Sequence, residues 1–397
     1  MKNCSSDWKN KPFPECIKPV RFKRSKQIQT NFYLPSGDFP IIDQGQSKIA
    51  GWTNDKSTVI NDNLPLIVFG DHTRVFKFID FPFAIGADGT KLIKPRGDRF
   101  CSRYFYYYLQ NLNLPSKGYS RHFKLLKETE ISYPEIPEQQ KIAAVLLKIQ
   151  QAIEVQESII EAAQELKKST MQRVFTYGLR GEKTKETEIG RVPERWDKGK
   201  LDDLCSLQTT SCIPSQTDKD IYIGLEHIKS GSFVIKRYGL PKDVKSSKTI
   251  FKKGDLLYGK LRPYLDKAVI SDENGICSTD ILVLRSYNDR YSWFILGLLH
   301  LDRFIHHAVQ TTHGVNHPRT SWKAIRDYHI GIPEPNEIER IGNILRKIED
   351  KLTLNESKKS ALQDLFKIML NKLMTGEIRV KESDIDTSCV LEMKNRG

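Results

Sequence analysis

Apolar positions along this chain follow two rhythms. Residues 138–176 and 337–375 carry apolar side chains at spacings alternating between four and three, the mark of a long helix with one buried seam. The later seam runs Ile341, Leu345, Ile348, Leu352, Asn355, Lys359, Leu362, Phe366, Met369 and Leu373, eight of ten apolar. The earlier runs Ile142, Leu146, Ile149, Ile153, Gln156, Ile160, Ala163, Lys167, Thr170 and Val174, seven of ten apolar. Gly342 is the only Gly or Pro inside either stretch, and Gly178 and Gly376 stand where each helix should stop. Elsewhere the rhythm shortens. Leu66 to Phe69, Val75 to Ile79, Asp255 to Tyr258 and Ile281 to Leu284 read as short strands between Gly, Asn and Asp, and the aromatic runs Tyr104 to Leu109 and Trp293 to His300 as short helices.

The two long stretches are copies. A shift of 199 residues, half the chain, superposes Glu138 on Glu337, Ile142 on Ile341, Leu146 on Leu345 and Ala162 on Ala361, with 12 identities over 39 ungapped positions. Ile-Pro-Glu precedes each copy, at Ile136 and Ile332. The chain is a tandem duplication, each copy being one globular module followed by one long helix. A single seam of this length has to be buried, and the repeated partner is the other copy. Pseudo-twofold symmetry predicts an antiparallel pair. Gln156 and Asn355 fall on equivalent seam positions, where they either fix the register or mark a widened stretch of seam. The resulting division is a first module over 1–135, a helical spacer over 136–189, a second module over 190–331, a distal helix over 332–380 and a polar tail over 381–397. The expected fold class is α+β, two mixed modules separated by an antiparallel coiled coil with an internal repeat.

Charge narrows the function. Lys and Arg number 63 against 49 Asp and Glu, a net charge of +14, with 39% apolar residues, enough for folded cores. Residues 1–135 hold 21 basic and 13 acidic side chains and residues 190–331 hold 22 and 16, while both helical segments are neutral. Two separated basic modules predict a polyanion touched in two places. The apolar run around Trp293 to Leu301 is about half the ~20 residues of a membrane span. The amino terminus lacks the apolar core of a signal peptide, so a cytoplasmic location is expected. Seven scattered cysteines without a C-x-x-C pair indicate neither a disulfide framework nor a thiolate metal site.

The modules carry ordered motifs. The first has FPIIDQGQSKIAGWT (39–53), IVFGDHT (67–73) and FAIGADGTKLI (83–93). The second has VPERW (192–196), YIGLEHI (222–228), GDLLYGKLRPYLDKA (254–268), GICSTDILVLR (275–285) and HGVNHPR (313–319). In this duplicated order the chain resembles the specificity subunits of type I DNA restriction-modification systems. The first module departs from the pattern in having no clear counterpart of VPERW, for which Trp8 is the available substitute for Trp196. The resemblance implies a non-catalytic subunit whose two target recognition domains each read half of a split, asymmetric double-stranded DNA target. The paired helices would dock two methyltransferase (modification) subunits, and restriction subunits would join that core. Methyl transfer from S-adenosylmethionine belongs to the modification subunits in that family, so no cofactor is expected on this chain.

The residues agree with a non-catalytic role. No P-loop and no Asn-Pro-Pro-aromatic methylation motif occurs. Glu165 to Lys167 spells a nuclease-like E-x-K, but inside the seam helix. His306, His307, His313 and His317 cluster without carboxylate or thiolate ligands at metal spacing. DNA binding demands long cationic donors for phosphates and bidentate donors for base edges, on loops able to enter a groove. In the first module these are Lys117, Tyr119, Ser120, Arg121 and His122, with Trp52, Thr53 and Arg103. In the second they are Lys260, Arg262, Tyr264, Lys267, Thr312, His313, His317 and Arg319. Each has a plainer reading as a surface cation or a core-packed aromatic, and the Arg262-Pro263-Tyr264 turn also reads as a structural corner. Val145, Ile159 and Ile344 lie off the seam, should be exposed on a lone helix pair and are the expected partner contacts. A helix of 39 residues is about 60 Å long at about 1.5 Å per residue, and the DNA contacts of the two modules are expected roughly one to one and a half DNA turns apart. Two rivals stay open, a free-standing DNA-binding protein and a scaffold without DNA.

Overall fold

The computed structural model describes residues 7–20, 26–86, 89–115, 121–381 and 384–391. Both long helices form, over Ile136–Tyr177 and Pro335–Met374. Each is followed by a glycine with φ near +70°, Gly178 at +65° and Gly376 at +72°, the left-handed conformation that ends a helix without a Cβ penalty. The chain divides into two compact units, residues 1–155 with 359–397, and residues 156–358, so each helix contributes to both.

In the first unit Lys9–Pro12 pairs antiparallel with Glu130–Tyr133 and closes the module. A four-stranded sheet runs in the order Ile17–Lys18, Thr90–Pro95, Leu66–Gly70, Phe76–Ile79. Its centre is the uninterrupted apolar run Leu66–Gly70, buried at every position, as a strand covered on both faces requires. A second sheet runs Gly51–Thr53, Phe39–Ile42, Phe83–Ile85, Val59–Ile60, with Phe39–Ile42 and Phe83–Ile85 parallel. The helix Ser102–Asn111 packs seven buried residues into the core. Phe105 alone, with no exposed surface, contributes about 1.5–3 kcal/mol by leaving water.

The second unit repeats this plan with little sequence in common. Asp197–Lys200 pairs antiparallel with His329–Ile332. One sheet runs Cys205–Gln208, Ile281–Ser286, Leu256–Gly259, Ala268–Ile270, and the other Ser211–Cys212, Lys248–Phe251, Gly275–Cys277, Tyr222–Ile223. Tyr222–Ile223 and Gly275–Cys277 form the parallel pair here. A hairpin of Thr184–Thr187 and Gly190–Pro193 precedes the module.

Within each unit the helices pack antiparallel. Ile142, Ala143 and Leu146, early in the first helix, share a core with Phe366, Met369 and Leu373, late in the second. Met171, Val174 and Phe175 share the other core with Ile338, Ile341 and Leu345. None of the twenty seam positions is exposed. A repeated Glu at the start of each helix explains part of the symmetry. Glu138 receives Arg379 Nε and Nη2, both at 2.8 Å. Glu337, its repeat mate, receives Leu179 N at 3.1 Å and the Arg195 guanidinium. Each Glu at the start of one helix thus holds the chain just past the end of the other. The equivalent seam positions differ from a cross-helix lock: Asn355 Nδ2 donates to Lys351 O on its own helix at 2.8 Å, and Gln156 Oε1 is buried without a hydrogen-bond partner.

Lys167 is a polar seam residue that crosses between the helices. Its Nζ lies 2.7 Å from Glu349 Oε2, 3.0 Å from Gly231 O and 3.4 Å from the centroid of the Phe233 ring. Burial pushes its pKa down, against the opposing pull of Glu349. Phe233 in turn stacks on His300 at 4.5 Å, and His300 Nδ1 meets Asp266 Oδ1 at 2.6 Å. This junction lines a cleft of about 430 Å³ and fastens the second module to its helices.

Candidate nucleic-acid interface

The second module gathers most of its expected DNA residues into one surface. Lys260 N donates to Asp280 O at 2.9 Å, Arg262 N to Pro318 O at 2.8 Å and Thr320 N to Lys260 O at 3.0 Å, so segments 260–266 and 313–320 are laced together. Arg262, Tyr264, His313, His317 and Arg319 are exposed there and Lys260 is half-buried. Arg319 is held by Asp280, with Nε to Oδ1 at 2.8 Å and Nη2 to Oδ2 at 3.4 Å. That carboxylate orients the guanidinium and raises its pKa. Arg262 and Asp266, on either side of the short 263–265 turn, have φ of +52° and +49°. A left-handed conformation outside Gly costs about 1–2 kcal/mol, and such strain collects at functional loops.

Two expected contacts of this module face inward. Lys267 Nζ donates to Leu225 O at 2.6 Å, and Thr312 Oγ1 to Val309 O at 2.8 Å, where it finishes the helix Asp302–Gln310. Of the histidine cluster, His307 Nε2 lies 3.3 Å from Ala324 O and His306 Nε2 2.9 Å from Gln310 Nε2. Among the described residues no group of His, Cys, Asp and Glu is arranged to hold a metal.

The first module is less open. Lys117, Tyr119 and Ser120 lie outside the described residues. Arg121 is exposed, but His122 beside it is buried, with Nδ1 donating to the Asp71 carbonyl at 2.9 Å while Asp71 Oδ1 accepts from Phe123 N at 2.8 Å. Arg103 is buried on its helix, its guanidinium 4.0 Å above the Phe78 ring and 3.2 Å from Asp80. Thr53 is buried and accepts from Asp55 N at 3.1 Å, and Trp52 is half-buried in the strand Gly51–Thr53. Arg103, His122 and Thr53 are thus buried and bonded within the module. Residue type suggested them as contacts, whereas burial, which no sequence pattern here reveals, sets their position. Asp280 went unnoticed in the sequence because an acidic residue is the opposite of what DNA binding calls for; its Ser-Thr-Asp run ahead of Ile281–Ser286 was the available signal.

Off-seam apolar residues of the helices also differ from expectation. Ile159 is exposed, but Val145 packs on the first module's core, and Ile344 is half-buried. The exposed stripes sit further along. In the second unit Ile159, Ala162 and Leu166 share one face of the first helix, and in the first unit Ala361, Leu365 and Ile368 share one face of the second. Ala162 and Leu166 are the repeat mates of Ala361 and Leu365.

A duplicated α+β module, each copy followed by a helix that packs antiparallel against its mate, defines a tandem two-module architecture. The profile of the type I restriction modification DNA specificity domain matches residues 6–165 and again 193–364, and the chain belongs to that family. The type I restriction enzyme EcoDI specificity subunit of Escherichia coli is 23% identical over 413 residues, covering 94% of this chain and 89% of the relative. The MjaVIII specificity subunit of Methanocaldococcus jannaschii is 24% identical over 272 residues, covering 65% of this chain but only 64% of the relative. Among solved structures, the type I restriction-modification S subunit from M. genitalium superposes with a TM-score of 0.64 at 15% identity, over 94% of this chain and 97% of the other. Among the described residues no helix is long and apolar enough to cross a membrane.

Proposed function

We propose that this chain is the non-catalytic DNA-reading subunit of a type I restriction-modification complex in the cytoplasm. Each module reads one half of a split, asymmetric double-stranded target, and the helices dock two modification subunits, to which restriction subunits add. The laced loop surface of the second module carries the reading. It places Lys260, Arg262 and Arg319 beside Tyr264, His313 and His317 on backbone fixed by hydrogen bonds, which suits cationic phosphate contacts around base-reading side chains. The first module offers Arg121 on the described part of its surface, with Lys117, Tyr119 and Ser120 proposed beside it. Asymmetry of the target follows from loops that differ between the modules while the strand plan repeats. Two partners follow from the repeat: the stripes around Leu166 and Leu365 are equivalent, and equivalent surfaces bind equivalent partners.

Module exchange tests this reading. Replacing residues 190–331 with the corresponding module of a relative that modifies a different site should change one half of the methylated sequence and leave the other half and the gap unchanged. Methylation that keeps its original sequence after exchange contradicts the proposal.

A further inference from the structure

His313 and Arg319 exchange backbone hydrogen bonds in both directions, His313 N to Arg319 O at 2.9 Å and Arg319 N to His313 O at 3.0 Å, which forces residues 314–318 outward as a tip. Gly314 opens the turn at φ +94°, where a Cβ would come within 3.2 Å of His317 O. Val315 is 98% exposed, and Asn316 and His317 are exposed beside it. The base of the tip is stiff: Asp280 clamps Arg319, Leu261 bridges to Arg319, and Arg262 N holds Pro318 O. A hydrophobic side chain held almost wholly in water on a rigid stalk gains nothing for this fold. Its surroundings are Lys260, Arg262 and Arg319, which favour a polyanion over an apolar protein surface.

We propose that Val315 and Asn316 are base-reading residues of the second module and specify an A·T base pair in its half of the target. An apolar side chain packs on the thymine methyl, and an asparagine amide pairs in two places with adenine N6 and N7 in the major groove. The inference rests on the function proposed above and adds the residues and the base pair they select.

The test compares complexes of the full chain and its modification subunits carrying Val315→Ala, Asn316→Ala or neither change, with the methylated sequence mapped on genomic DNA. Because the tip is exposed, the variants should keep the melting temperature and partner stoichiometry of the parent. Each should relax one A·T position in the second half-site, with discrimination there falling about 5- to 150-fold, as for one misread base pair. The first half-site and the salt dependence of binding to random duplex should not change. Variants that methylate the parent sequence with undiminished discrimination overturn the inference while leaving the function intact. Variants that lose modification subunits overturn it too, by making the tip a protein contact. A parent complex that methylates no split sequence refutes the function itself.

Discussion

Lys167→Met removes the cation of the junction between the second module and its helices. The Glu349 side chain is only 5% exposed, and without Lys167 its carboxylate keeps the 3.3 Å bond from Phe233 N and the more distant charge of Lys236 but loses its paired cation. Breaking one partner of a buried ion pair costs about 3–5 kcal/mol, mostly the penalty on the charge left behind. The affected unit spans residues 156–358, 203 residues, for which each kcal/mol moves the melting temperature by about 2–4 °C. A fall of about 6–20 °C is therefore expected by scanning calorimetry. Lys167→Met with Glu349→Leu should recover part of it, ending short of the parent by about 1 kcal/mol for each of the stranded Phe233 N–H and Gly231 carbonyl. The pH dependence has a defined sign. Burial lowers the Lys167 pKa below 10.5, so as pH rises the folded chain releases this proton before the unfolded chain does. The unfolded state then binds more protons, and this group's contribution to stability rises with pH across the window below 10.5. Lys167→Met should abolish that rise. A single variant losing less than about 1 kcal/mol, or a double variant as unstable as the sum of the singles, would refute the buried-pair account.

Three further outcomes are expected. Burial pushes the Cys16 thiol up to about 11 and the Cys205 and Cys277 thiols up to about 12, so these three should resist alkylation at pH 8 and react only on unfolding, as mass spectrometry of labelled peptides would report. Arg262→Gly should relieve the left-handed strain and raise stability by about 1 kcal/mol, while lowering the salt slope of duplex binding by about one phosphate contact, or 0.9. Leu166→Asp and Leu365→Asp should each cost one modification subunit in native mass spectrometry and together both, with affinity per site falling at least tenfold, since each removes an apolar anchor worth about 1.5–3 kcal/mol.

The long helices were legible because a seam sustained over ten positions leaves no other structure, and the 199-residue repeat made antiparallel pairing the symmetric solution. The modules were legible at four strands and two short helices, while Thr90–Pro95, six residues long, went unread because polar residues interrupt it. Segments such as Ser211–Cys212 and Tyr222–Ile223 are two residues long and are set by partners far along the chain, so no local period marks them. Lys167 reads in the sequence as a flaw in the seam. Its partner Glu349 lies 182 positions away and outside the seam positions, so the pair emerges only when the helices are laid antiparallel. Among the DNA candidates, the Gly-containing loop of the second module lies on the exposed surface where Arg262, Tyr264, His317 and Arg319 gather. Side-chain type could not separate exposed Arg319 from buried Arg103, because that distinction rests on which helix face meets the Phe78 strand.

On the function proposed above, this chain selects DNA sequence for a methyltransferase it does not itself contain. Co-expression with modification subunits, native mass determination of the complex and mapping of methylated bases in the same cells test it together. One chain bound to two modification subunits, methylating a split sequence absent when this chain is omitted, is the predicted result. A chain that purifies alone, or a methylation pattern that does not depend on its presence, would contradict it.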